Sequence, residues 1–326
     1  MATLKATIFS IEILLCFCMV FVSVSVAQSP VPPRIPRDER VTTERAIAVD
    51  PAVNLKFCVS EGELTINGWE RDEIRVFVKD GRRFGFKVLE RNAKNDKPNW
   101  VWAARETVDG PPVPFANCLG GSRVEIDAPV GTTINFEART SGATIDSVKS
   151  VSVKVIEGSI GIRNVSGGVK AETYQGDVML ESSAGEITLK TTTGNILAYD
   201  VNPGGIGDLL NAQTSSGTIS LQKVNHRQIK ASSISGSVLF NAGFLSGGIY
   251  NFKTSNGSIE LQIPADASST FIASLGFGSF NSAIPLDVQS ESITPGGKSI
   301  VAKLGNGSAT VNLTTTSGSI RIVKQK

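Results

Sequence analysis

Histidine is almost missing: the 326 residues contain one, His226. A single imidazole excludes a multi-histidine metal centre or a relay that needs two histidines. In "KVNHRQ" it reads as a surface residue of a connection. Runs of Lys or Arg are also absent, as are basic residues interleaved with aromatics. With a formal net charge of +2 and a pI near 8.3, this excludes nucleic acid as a partner. Cysteine is scarce, with four. No second apolar run of membrane-spanning length follows the first 27 residues, so no stable membrane insertion is expected once those residues are removed.

What is present begins with an export signal. Residues 1–27 carry Lys5, an apolar run from Ile13 to Val26, and small residues at Ser25-Val26-Ala27, the pattern of a cleaved secretory signal peptide. The alternative is an uncleaved anchor helix. Cleavage removes Cys16 and Cys18 and leaves Cys58 and Cys118 in an oxidising compartment, where a disulfide is expected, two buried thiols being the alternative. Such a bridge closes a loop of about 60 residues, worth ~4 kcal/mol on chain entropy. Residues 28–44 hold four prolines without apolar periodicity and read as an extended linker.

Residues 45–140 form an N-terminal β-rich segment in which Leu64, Ile66, Ile74, Val76 and Val78 fall at strand spacing. It contains all three tryptophans. Asp, Glu, Lys and Arg number 34 in residues 28–140 and 26 in the longer stretch 141–326, so the structural style changes near residue 140.

What begins there is a repeat. Gly158, Gly167, Gly176, Gly185 and Gly194 stand nine apart, each followed two positions later by Ile or Val. The element returns less regularly at Gly217, Gly236, Gly247, Gly257 and Gly318. Position five of each regular unit is apolar or small (Ile162, Ala171, Leu180, Leu189, Ala198), so positions three and five share the core face of a short strand. Positions four and six face outward, with Met179, Leu197 and Tyr199 as apolar exceptions. Glycine and the preceding hydroxyl residues form turns. The fold class is therefore all-β, a solenoid-like stack of short strands over 141–326. An antiparallel β-meander is the alternative.

The stretches "EGELTINGWERDEIRV" (61–76), "IPADASSTFIAS" (263–274) and "LGNGSATVNLTTTSGSIRI" (304–322) resemble the bacterial "putative adhesin" family, also called toastrack domains. The likeness runs over about 45–326 and departs in the lengthened segment Arg82–Leu119. It implies an extracytoplasmic β-rich module without established activity.

Candidate chemistry is thin. Ser220 and Lys223 spell S-x-x-K, but strand alternation sends them to opposite faces, and no partner motif accompanies them. "GGIGDLLN" at 204–211 approaches a calcium nonapeptide, with Asp208 one position early. The residues after the repeat glycines (Ser159, Gly168, Asp177, Glu186, Asn195) give no carboxylate ladder. Asp72 with Glu73, or Asp177 with Glu186, are conceivable glycosidase pairs that nothing in the sequence brings into one cleft. Glycosylation sequons at Asn164, Asn256, Asn306 and Asn312 fall partly in turns. No catalytic, cofactor-binding or metal-binding residue is assigned.

The expectation is a non-enzymatic, exported binding or scaffold protein, periplasmic, secreted or on the cell surface. Its outward strand faces contact a protein, glycan or envelope component. A polysaccharide-processing β-helix enzyme and an envelope sensor ectodomain are the alternatives. A monomer is expected, with the final strand "GSIRIVKQK" as a basic cap at the limit of the sheet.

Overall fold

The computed structural model describes residues 40–106 and 115–325, and residues 39–326 form one compact unit. The residues expected to form a signal peptide, and most of those expected to form a linker, lie outside the described residues. Among the described residues there are 27 strands and no helix. The amino-terminal strands are β1 (Val41–Ala48), β2 (Asn54–Glu61), β3 (Glu63–Trp69), β4 (Glu73–Gly81), β5 (Phe84–Arg91), β6 (Pro98–Arg105) and β7 (Arg123–Pro129). Residues 41–44, assigned above to the linker, thus open a strand, because β1 finds antiparallel partners along β4.

The middle of the chain contributes β8 (Thr133–Thr140), β9 (Ala143–Asp146), β10 (Ser150–Glu157), β11 (Ile160–Arg163), β12 (Val169–Gln175), β13 (Val178–Ala184) and β14 (Ile187–Thr193). It continues through β15 (Ile196–Asn202), β16 (Leu209–Ser216), β17 (Ile219–Val224), β18 (Gln228–Ser235), β19 (Val238–Asn241), β20 (Ile249–Asn256) and β21 (Ile259–Ile263). The remainder is β22 (Ser269–Phe277), β23 (Phe280–Ser282), β24 (Asp287–Thr294), β25 (Gly297–Leu304), β26 (Ala309–Ser317) and β27 (Ile320–Lys324).

Two sheets, of 13 and 14 strands, hold all of them. Successive nine-residue units alternate between the sheets, so two units make one coil and each strand pairs in parallel with the strand two along. Val169 in β12 is opposite Ile187 in β14, and Val178 in β13 is opposite Ile196 in β15. The stack is thus a two-strand-per-coil solenoid, and the meander is not formed. One continuous core of buried Val, Ile, Leu, Ala and Phe runs between the sheets, and the change of composition near residue 140 does not interrupt it.

The turn chemistry explains the recurring phrase around each glycine. Gly158, Gly176, Gly194, Gly217, Gly236, Gly257 and Gly318 stack in one corner, while Gly167 and Gly185 belong to the opposite one. At Gly217 the backbone lies at φ +150°, and a Cβ would sit 1.9 Å from the Gly194 carbonyl oxygen. No side chain fits there. The hydroxyl before each such corner faces inward. Thr173, Thr191, Thr214, Ser233, Thr254 and Thr315 are buried and donate to the carbonyls of Gly158, Gly176, Gly194, Gly217, Gly236 and Gly257 at 2.7–3.1 Å. They thus bond the neighbouring coil, Thr173 reaching the local Gln175 carbonyl as well, and form a satisfied polar column inside an apolar core.

Both ends of the stack depart from simple succession. The coil β2–β3 lies between the coils β6–β7 and β8–β9, and the last coil, β26–β27, lies between β20–β21 and β22–β23. The final strand is therefore interior, not the limit of its sheet. Beyond the outer coils run antiparallel strands: β4 and β1 on the 13-stranded sheet and β5 on the other at the amino end, and β25 and β24 at the carboxy end.

Candidate functional site

The residues weighed for chemistry are scattered and engaged. His226 is fully buried, against the surface position expected, with Nε2 donating to the Gly185 carbonyl at 2.9 Å. A carbonyl only accepts, so in the neutral ring Nδ1 carries no proton, and it finds no partner among the described residues. Burial pushes the imidazole pKa down, against smaller opposing effects of the Gly185 carbonyl and the Asp208 charge. Asp208 accepts the backbone N–H groups of Gly204 and Gly205, each at 2.8 Å, which closes its own loop.

Ser220 and Lys223 do not lie on opposite faces. Lys223 has φ +51°, a left-handed residue that interrupts alternation and lets Val224 turn inward. Asn164, Ser182 and Asp200 do the same in the preceding coils, ahead of buried Val165, Ser183 and Val201. The Lys223 ammonium is committed to Tyr199, donating to its hydroxyl at 2.8 Å and lying 4.9 Å from the ring centroid.

Asp177 and Glu186 occupy opposite corners of the coil. Asp177 instead joins a corner ladder: its N–H donates to Ser159 Oγ, its carboxylate accepts the Asn195 N–H, and Asn195 Oδ1 accepts the Thr218 N–H. Asp72 pairs with Lys97 at 2.9 Å. Among the described residues no group of three His, Cys, Asp or Glu is placed to hold a metal ion.

Cys58 and Cys118 form a disulfide with Cα atoms 4.6 Å apart. Beside it lies a cleft of about 560 Å³ lined by Arg40, Glu61, Arg82, Arg105 and Arg139, in which Arg40 pairs with Glu61 at 3.0 Å. Nothing in the sequence announces this basic cluster, because its members come from positions 40 to 139 and only coil stacking brings them together.

The outward face of the 14-stranded sheet offers a second recess, of about 550 Å³, on β10, β12, β14 and β16. Strand register aligns Glu137, Lys154, Glu172, Lys190 and Gln213 in a row across the sheet. Glu172 lies 3.8 Å from both Lys170 and Lys190. Next to that row stand Ile156 and Tyr174, 40% and 58% exposed. An open ring beside paired ammonium and carboxylate groups can stack, hydrogen-bond and bind charge. On the 13-stranded sheet the expected apolar exceptions Met179 and Tyr199 are exposed and Leu197 partly so.

No protein-family model and no curated protein matches the chain. Two solved structures are similar to it. One is a "putative cell adhesion protein" from Clostridium sporogenes, at 14% identity, covering 87% of this chain and 100% of that one with a TM-score of 0.24. The other is a "putative adhesin" from Bacteroides fragilis, at 12% identity, covering 88% and 98% with a TM-score of 0.41. Both likenesses are distant.

Proposed function

We propose that this is a non-enzymatic, exported, adhesin-like binding or scaffold protein that contacts a protein, glycan or envelope component through its outward strand faces. The observation that carries the reading is the open recess around Tyr174. A large aromatic ring left exposed on a rigid sheet, among charged residues held in row by strand register, is a contact surface built on stiff elements. The disulfide supports an oxidising, extracytoplasmic location. No helix among the described residues is long and apolar enough to cross a membrane.

The test is glycan-array and envelope pull-down screening with the wild-type protein, with Tyr174→Ala and with Lys190→Ala. Ligands captured by the wild type and lost by Tyr174→Ala, with unchanged circular dichroism, support the reading. Capture indifferent to both substitutions overturns the face assignment. Turnover of a captured glycan overturns the non-enzymatic role.

A further inference from the structure

The 14-stranded sheet ends in two long, unlike edges. At the carboxy end β24 is exposed along its whole length, with Val288 52% and Ile293 74% accessible. At the amino end β5 is exposed from Leu89 to Arg91. Each strand is eight residues long and free of proline. Among the described residues nothing pairs with the outer side of either. Such edges present a row of free N–H and C=O groups that template a further strand.

We infer that β24 of one copy pairs with β5 of the next, head to tail, giving an open filament. Three observations select this occupant. First, strand direction. Every strand from β6 to β22 in this sheet is parallel to its neighbours, β5 is antiparallel to β6, and β24 is restored to the common direction by two reversals through β25. Copies stacked without rotation therefore bring β24 and β5 together antiparallel, the more stable ladder.

Second, charge. The charged residues of β24 are Asp287 and Glu291, the latter held by Lys298 at 2.6 Å, whereas β5 carries Lys87 and Arg91 against Glu90. A β24–β24 dimer gathers four carboxylates, while β24 on β5 pairs opposite signs. Third, the ends are stepped in opposite senses. The 13-stranded sheet reaches one strand further at the amino end, β4 and β1 against β5, and the 14-stranded sheet reaches two strands further at the carboxy end, with β25 and β24. The short β23, three residues long, offers no competing edge. A heterologous contact of this kind does not close, so it propagates.

Light scattering of the protein from micromolar to near-millimolar concentration tests this. The mean mass is expected to rise several-fold without a plateau at low salt and to fall as salt is added. Asp287→Lys/Glu291→Lys and Lys87→Glu/Arg91→Glu are each expected to stay at the monomer mass, with unchanged circular dichroism. Mixed together they should lengthen again as alternating filaments, because each variant's β24 then meets a β5 of opposite sign on the other, and the chain carrying all four changes should lengthen on its own. A wild-type protein that stays monomeric overturns the inference. So does a closed dimer, or growth indifferent to the charge exchange.

Discussion

At the amino end the tucked coil β2–β3 is tied to its outer neighbour by the Cys58–Cys118 bridge and by the bridge pair Val59 and Leu119. At the carboxy end the tucked coil β26–β27 has no covalent tie among the described residues. It is held by strand pairing on both sides and by burial of Val311, Leu313, Ile320 and Ile322. Both ends insert a coil between two others, so the final strand β27 is interior, whereas β1 still lies at the limit of the 13-stranded sheet. The difference is in what resists opening. In a quasi-one-dimensional stack, stability is set by neighbouring interfaces, so the two ends should fail under different insults: reduction at one, loss of a coil at the other.

Deleting residues 305–326 should have the largest effect. The slot between β20 and β22 would then present two unpaired edges and an open core, and β22–β25 would lose their attachment to the stack. Hydrogen exchange should show β22–β25 unprotected and β20 weakened, while β2–β8 keep their protection. Equal loss of protection at both ends would mean that the stack opens as one unit.

The counterpart at the amino end is smaller. Cys58→Ala/Cys118→Ala should cost about 2–5 kcal/mol, read as a lower denaturant midpoint, with exchange rising first in β6 and β7. Intact mass of the exported protein should show two hydrogens missing from the cysteine pair. The interior coils give the reference for either end. Leu189→Ala should cost about 2–5 kcal/mol and Lys190→Ala under ~0.5, since Leu189 is fully buried while Lys190 makes one partly exposed ion pair.

The coils were legible in the sequence because glycine and the apolar positions repeat at nine, and both periods come from local geometry. The ends were not, because tucking one coil between two others pairs strands far apart in the chain, and no period marks it. This is why "GSIRIVKQK" read as a terminal strand. Lys223 and Gly247 misled for a local reason. A left-handed residue restarts alternation in the first, and in the second Tyr250 and Phe252 fill the core while Ile249 is half exposed. The disulfide needed only a count of cysteines, whereas the cleft beside it and the recess at Tyr174 needed the register.

The inward hydroxyl column lets the two kinds of interior contact be compared within one coil. Thr191→Val keeps the shape of the side chain and removes the donor to Gly176, 2.9 Å away. It should cost about 1 kcal/mol, less than Leu189→Ala two residues before it. A neutral result in denaturant melts would mean that solvent satisfies the half-buried Gly176 carbonyl once the hydroxyl is gone.

A smaller, pH-dependent effect separates the His226 region from both ends. The folded protein holds this imidazole neutral because burial depresses its pKa, while the unfolded chain takes up a proton near the ordinary value of about 6.5. As pH falls through that value the unfolded state binds more protons than the folded state, so stability drops, and above it the contribution is complete and constant. Relative to about pH 8, the loss should reach at most ~0.8 kcal/mol near pH 6. Asp50 and Asp146 act lower on the scale. Hydrogen bonds from Asn95 and the Ala52 N–H hold Asp50 below the usual carboxylate range. At Asp146 burial opposes ionisation, but bonds from Asn164, Ser147 and Arg163 outweigh it. Their contributions fade only as pH falls below about 4. His226→Gln, whose amide can still donate to Gly185, should flatten the profile between about pH 8 and pH 5 and leave the acid limb in place. A wild-type profile already flat there would mean that the buried ring exchanges its proton with solvent as freely as in the unfolded chain.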